Sequence, residues 1–299
     1  MAAAGVWTSC SNQLAARTVR GLVAQSRRSI LKPNFIPTPA TWNANGITAS
    51  WLGHSTVLLN FYGVNILTDP LLFNNAGADV LFGTIGPKRL VAPALTVDQL
   101  PRIDLVLLSH GHMDHLNSQT LRCFPNTTRA LTAHNTADLL TDTQLKMPRE
   151  LAWGDKMLVK TEQGDVEVEA FEVKHWGARW RHDKYRGYNG YILSREGKKI
   201  IFGGDTAMSD SFAALRAKGP FEMAIMPIGA YRPWEQSHCT PEQAVRMADA
   251  AGAKHFLPVH FKTFMFGREG VSEPIERLHA AIDNQRIGWS DIGQTFSLS

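Results

Sequence analysis

From residue 46 onward the apolar and polar positions follow strand and helix periods. Residues 47–52, 56–60 and 64–68 are short apolar-rich runs of strand length, the last two separated by Tyr62 and Gly63, which predicts a tight turn. Residues 104–109 enclose a continuous apolar stretch, as in a strand covered on both faces. In residues 165–173, Val166 and Val168 alternate with Glu167 and Glu169, which predicts a strand wet on one side. Residues 188–193 and 199–202 flank a turn-like segment at 194–198 and predict a hairpin. Helix and strand then alternate: a helix over 209–218 closed by Gly219, a strand over 221–228, a strand over 254–261, a helix over 272–282 and a closing strand over 294–298. Between them, Thr240, Pro241 and Gln243 supply an N-cap, a first-turn proline and the third position of a capping box for a helix reaching about residue 251. These elements imply one mixed α/β domain over 46–299, with no internal repeat.

Residues 1–45 have a different texture. Over 11–31, Ala15, Val19, Leu22, Val23 and Ile30 fall on one side of a helix and Arg17, Arg20, Arg27 and Arg28 mostly on the other, a basic amphipathic pattern. It reads either as a terminal helix packed on the body or as a peripheral membrane contact or transit segment. Residues 32–39, with three prolines, read as an extended connector. At 299 residues, 44% apolar and 19% charged, the chain can bury a sizeable core. No apolar run approaches the ~20 residues of a membrane-spanning helix. The net charge of +4 belongs to the leader, because five cations precede Asp69, the first acid, and the remainder is nearly balanced. A nucleic-acid partner is therefore not expected. Cys10, Cys123 and Cys239 are odd in number and scattered, which suggests a reducing, cytoplasmic setting, with membrane association left to the leader.

Candidate chemistry is concentrated at His110-Gly-His112-Met-Asp114-His115, directly after the buried strand. Residues two apart at a strand end point the same way, so His110 and His112 can grip one ion while a turn swings Asp114 and His115 toward a second position. Imidazole with carboxylate suits zinc or a neighbouring first-row metal. Further ligands must come from elsewhere, and His175, Asp205 (in Gly-Gly-Asp-Thr) and His260 each follow a predicted strand. Strand ends on one sheet rim converge, which makes the set look like a two-metal hydrolase.

The order H-x-H-x-D-H, His, Gly-Asp-Thr, His resembles the metallo-β-lactamase superfamily. The similarity is closest to the branch holding N-acyl-phosphatidylethanolamine phospholipase D and the ascorbate-phosphate lactonase-like proteins. Trp51-Leu-Gly-His54-Ser-Thr56, Thr68-Asp69-Pro70, Gly86-Pro-Lys-Arg89, His175-Trp176 and 227–231 through His238 carry it, over roughly 46–263. The resemblance implies a four-layer αββα sandwich with two divalent ions, zinc first and Mn²⁺ or Fe²⁺ as alternates. One ion would be held by His110, His112 and His175, the other by Asp114, His115 and His260, with Asp205 bridging. It implies hydrolysis by a metal-bridging hydroxide, with Asp114 orienting it and His238 donating a proton to the leaving group. A small-molecule or lipid-like phosphodiester is the expected substrate; a lactone, amide or thioester is the alternative, and a non-enzymatic metal-binding module the weaker reading.

Some residues keep two readings. His54 is a hydrogen-bonding support or a structural histidine, and Asp69 a support for the site or a turn residue before proline. Arg179, Arg181, Lys184 and Arg186, interleaved with Trp176, Trp180 and Tyr185, are a phosphate-recognising stretch or a solvated face. Cys239 reads as a small buried residue.

Overall fold

Strands β1 (Ile47–Gly53), β2 (Thr56–Phe61) and β3 (Val64–Thr68) form the antiparallel meander. Tyr62 and Gly63 both have positive φ, 49° and 88°, the backbone twist that joins tightly paired strands. The computed structural model describes residues 28–298 apart from 81, 82, 146 and 181. A small hairpin, β4 (Ala78–Val80) with β5 (Gly83–Ile85), stands apart. β6 (Leu105–Leu107), β7 (Arg129–Ala133) and β8 (Arg149–Leu151) then extend the meander as parallel neighbours of β3.

The second sheet holds β9 (Lys156–Thr161), β10 (Gly164–Phe171), β11 (Gly190–Arg195), β12 (Lys198–Phe202), β13 (Phe221–Pro227) and β14 (Ala253–Val259), in the spatial order β14-β13-β12-β11-β10-β9. β9 to β12 pair antiparallel and β12 to β14 parallel. The β11–β12 hairpin closes on Glu196 and Gly197, again both at positive φ. β15 (Thr295–Leu298) pairs with β1 and completes a first sheet of seven strands. Side chains of both sheets enter one continuous core, for example Trp51, Leu58 and Leu107 with Tyr191, Phe202 and Ile225.

The helices are α1 (Ser118–Leu121), α2 (Ser211–Leu215), α3 (Pro241–Ala251) and α4 (Glu273–Ala281), with short 3₁₀ turns between elements. α3 packs on β13, β14 and α4. It begins in the expected capping box, Thr240 with Gln243, and ends at Gly252 in the left-handed region. Two mixed sheets with helical cover are the α/β architecture expected from the resemblance.

Strands β7, β8 and β9 and the β4–β5 hairpin are additions to the elements read from sequence. The segment expected as a helix over 209–218 is one α-helical piece followed by the 3₁₀ turn Arg216–Lys218. The last residues of the helix expected over 11–31 are not helical: residues 28–31 are irregular, and Leu31 bridges to Val91, its N–H donating to Leu90 O at 2.9 Å and its carbonyl accepting from Ala92 N at 2.8 Å. The predicted basic helix lies, up to residue 27, outside the described residues. Among the described residues no helix is long and apolar enough to cross a membrane.

Strand directions decide where a site can form. β1, β3 and β6 run the same way in the first sheet, and β10, β12, β13 and β14 run the same way in the second. The chain therefore leaves these strands into His54, Asp69, His110, His175, Asp205 and His260, the loop ends where open α/β sheets gather ligands. Tyr191 ties the two sheets together behind this rim: its hydroxyl donates to Leu108 O at 2.9 Å and accepts from Asn189 Nδ2 at 3.1 Å, all buried. Tyr191→Phe is expected to lower the unfolding free energy by about 1–3 kcal/mol, since it strands a buried carbonyl. Urea denaturation measures this, and a loss under about 0.5 kcal/mol would count against the sheet-to-sheet role.

Candidate metal centre

Every residue singled out as a ligand reaches one place. His110 Nε2 lies 2.7 Å from His112 Nδ1, and His175 Nε2 lies 3.3 Å from the same atom. Asp205 Oδ2 stands 3.1 Å from His115 Nε2, 3.2 Å from His260 Nε2, and 3.8 Å from both His175 Nε2 and His238 Nδ1. Asp114 Oδ2 is 3.4 Å from His115 Nε2 and 3.7 Å from His260 Nε2. Four groups have donor atoms clustered tightly enough to share an ion: His110, His112 and His175; His54, Asp114, His115 and His260; Asp69, His110 and His115; and His175, Asp205 and His238.

The backbone is strained where it delivers these groups. His54, Asp69 and His260 have φ of 54°, 34° and 65°. Positive φ costs a residue with a Cβ about 1–3 kcal/mol and persists only where the surroundings enforce it. Here the enforcement is mutual: His260 N–H donates to His54 O at 3.0 Å, and His54 N–H donates to Thr263 Oγ1 at 2.6 Å. Gly177, two residues after His175, is required by close approach, because a Cβ there would stand 2.3 Å from the carbonyls of Arg186 and Gly187.

A ring of outer partners fixes which imidazole nitrogens carry hydrogen. Asp69 Oδ1 accepts from Ser109 N–H at 2.7 Å, and its Oδ2 accepts from Ser109 Oγ at 2.6 Å and from His115 Nδ1 at 2.7 Å. Ser109 Oγ, its proton given to Asp69, accepts from His110 Nδ1 at 2.8 Å. His175 Nδ1 donates to Ser237 O at 2.9 Å, an acceptor that admits no other reading. The Nε2 atoms of His110, His115 and His175 are thereby turned inward, the usual role of partners around ligating histidines.

Electrostatics separate the two clusters. Burial holds His110 and His175 well below the ordinary histidine value. Burial also takes His54 down to about 3 and His238 to about 4. His54 is therefore neutral, and its Nε2–H donates to Asp114 Oδ2 at 2.9 Å. Burial opposes charge on Asp114 and Asp205, but His115, joined by His260, keeps both carboxyls well below their usual range. Burial likewise opposes protonation of His260, yet Asp205 and Asp114 lift it to about 9, and His115 is raised in the same way.

A profile of the beta-lactamase superfamily domain matches residues 64–261. An uncharacterized protein of Mycobacterium tuberculosis is 31% identical over 272 residues, covering 88% of this chain and 71% of the relative. A Caenorhabditis elegans N-acyl-phosphatidylethanolamine-hydrolyzing phospholipase D is 29% identical over 254 residues, covering 80% and 70%. Among solved structures, an isothiocyanate hydrolase from Delia radicum gut bacteria superposes with a TM-score of 0.66 at 19% identity, covering 84% of this chain and 99% of that one. The chain belongs to the beta-lactamase superfamily. Its fold is the metallo-β-lactamase fold.

The superfamily's metal chemistry has a physical counterpart in this site. Lone pairs of His110 and His175 face His112 in a space where one proton at most can intervene. Two carboxylates share the adjoining space with imidazoles, and His115 Nε2, Asp205 Oδ1 and both ring nitrogens of His260 are buried without a hydrogen-bond partner. Such a nitrogen and oxygen donor set fits zinc or a neighbouring transition metal and not the all-oxygen preference of Ca²⁺. Divalent ions would replace the protons that His115 and His260 otherwise carry.

The superfamily member also departs from its sequence reading. Arg179 and Arg186 of the cationic stretch are engaged by groups of the protein itself. Arg179 donates to Gly111 O at 3.1 Å, Leu116 O at 2.9 Å and Ser118 Oγ at 3.3 Å. Arg186 is buried on Asp183 and Asp138. Both guanidinium groups are taken up by internal acceptors, so phosphate recognition by Arg179 and Arg186 is corrected to loop anchoring; Arg181 lies outside the described residues. Ser109 and the Ser237 carbonyl escaped the sequence reading, the first because a serine beside a histidine has no distinctive spacing, the second because a carbonyl has no side-chain signature. Cys239 is buried, its thiol donating to Pro227 O. Asp69→Asn is expected to weaken divalent-metal affinity by about 10–100-fold, as for other partners of ligating histidines. Competition with a chromogenic chelator measures it, and an unaltered affinity would contradict the assigned role.

Proposed function

We propose that the protein is a metal-dependent hydrolase that binds two divalent cations and cleaves a phosphodiester. The observation that carries this reading is Asp205 Oδ2, 3.1 and 3.2 Å from His115 and His260 and 3.8 Å from His175. One buried carboxylate oxygen thus serves two groups of imidazole nitrogens. His110, His112 and His175 would hold one ion and Asp114, His115 and His260 the other, with Asp205 shared. Zinc suits these donors, with Mn²⁺ or Fe²⁺ as alternates. When bound, such ions polarise the reacting phosphoryl or carbonyl group and generate a nucleophile from water at neutral pH.

The protein's own groups supply orientation and proton handling. Asp114, held by His54, lines the cavity in front of Asp205 and is oriented to accept a proton from an attacking water. His238 lines the same cavity with its Nδ1 buried and unpartnered. Because burial keeps its ring neutral, we assign it a hydrogen bond to a substrate oxygen in place of the proton delivery expected from sequence. The C. elegans relative's named activity supports the phosphodiester reading. A carbonyl-centred reaction on a lactone, amide or thioester is the second reading, favoured by one observation: no Lys or Arg is among the described residues lining the cavity.

The metal-loaded protein is expected to hydrolyse bis(p-nitrophenyl) phosphate. Chelation should abolish turnover, zinc or manganese should restore it, and His112→Ala should lower kcat/KM by about 100-fold or more, the scale of losing one transition-state-stabilising group. Cleavage of lactones with no phosphodiester turnover would replace the first reading by the second.

A further inference from the structure

Two indoles stand at the mouth of the cavity in front of Asp205. Trp176 and Trp234 are 54% and 55% exposed, and Phe266 and Ala230 continue the same wall. Trp176 meets His112 edge to face at 4.8 Å between centroids, so this apolar surface begins beside a ligating ring. Large aromatic surfaces left in water at the edge of a polar site are the usual means of gripping an apolar group.

The wall is built before any ligand arrives. Arg179 fastens the Trp176 segment to the carbonyls of Gly111 and Leu116. Trp234 O accepts from the N–H groups of Ser237 and His238, at 2.8 and 2.9 Å, which turns the chain sharply below the indole. The Glu269 carboxylate accepts from Ala230 N–H at 2.5 Å and Arg232 N–H at 3.2 Å, so the Trp234 loop is joined to the segment that carries Phe266. The cavity has a volume of about 440 Å³, toward the small end of ligand sites, and must also hold the reacting group. Neither a guanidinium nor an ammonium group among its described lining residues is available to match the second charge of a phosphate dianion.

We infer that Trp176 and Trp234 select a neutral or singly charged substrate with a compact apolar arm, aryl or short alkyl, flanking the reacting centre. This rests on the hydrolase reading above. Phosphomonoesters and nucleotides with free terminal phosphates are excluded, and a long extended chain gains nothing beyond the reach of the two indoles.

The test uses zinc-loaded full-length protein and p-nitrophenyl phosphodiesters whose second arm is methyl, butyl, phenyl or hexadecyl, alongside p-nitrophenyl phosphate. The expected kcat/KM for the phenyl or butyl arm exceeds that for methyl by about tenfold, the scale of apolar-pocket discrimination, mainly through KM. The hexadecyl arm should bring no further gain, and the monoester should not turn over. Trp176→Ala and Trp234→Ala should collapse the phenyl-to-methyl ratio toward one, with Trp→Phe at either position restoring part of it. A readout free of turnover is binding of diphenylphosphinate against dimethylphosphinate, followed by tryptophan fluorescence; the diphenyl anion should bind about tenfold tighter in the wild type and lose that margin in both Ala variants. A ratio unchanged in both Ala variants, a rate still climbing at hexadecyl, or equal turnover of the monoester would overturn the inference. The same arms on substituted γ-lactones read the preference if carbonyl chemistry prevails. Wild-type protein that turns over neither series contradicts the hydrolase reading itself.

Discussion

Two carboxylates, Asp114 and Asp205, sit among imidazoles with no lysine or arginine paired to them among the described residues, and the rest of the site answers that constraint. Negative charge taken out of water must be matched at close range or neutralised. The nearest matching groups are His115 and His260, which the carboxylates push toward protonation. On the other side, His110, His112 and His175 offer lone pairs and are kept uncharged by burial. A cluster with anions on one flank and neutral nitrogens on the other is what a pair of cations would balance, and Asp205 is the group that both flanks share.

The scaffold meets this demand through strand direction and local strain. Parallel alignment of β1, β3 and β6 in one sheet, and of β10, β12, β13 and β14 in the other, sends every contributing loop to one rim. At that rim His54, Asp69, Ala230 and His260 occupy the left-handed region despite carrying a Cβ. Their strain is offset by burial, by hydrogen bonds such as Trp51 Nε1–H to His54 O at 2.7 Å, and by the Trp51–Phe261 stack at 4.5 Å that joins the two sheets. A rigid rim of this kind lets outer groups such as Asp69 and Ser109 set the tautomers of the inner ones.

What could be read from sequence divides along the range of the interactions involved. The Tyr62-Gly63 turn, the Thr240 capping box and the H-x-H-x-D-H cluster depend on neighbours within a few residues, and their local patterns anticipated what the structure holds. Strands β7, β8 and β9 are short or lie near a sheet edge, and β9 mixes exposed with part-buried positions, so they left no clear period. Arg179 and Arg186 looked like an open cationic face because, apart from Asp183 beside Arg186, acceptors such as Gly111, Leu116 and Asp138 lie 48 to 68 residues away. His54 could not be resolved alone, since its partner Asp114 is 60 positions distant. The aromatic mouth was half visible: Trp176 stood next to a ligand candidate, whereas Trp234 and Phe266 are brought to it by tertiary contacts such as the Glu269 anchor and the packing of Phe266 on His54.

The most direct measurement of the central claim is anomalous scattering at the zinc edge from crystals of the zinc-loaded protein. The account predicts two peaks per chain, one among His110, His112 and His175 and the other among Asp114, His115 and His260, with Asp205 reaching both. A single peak, or two peaks of which neither touches Asp205, would contradict it.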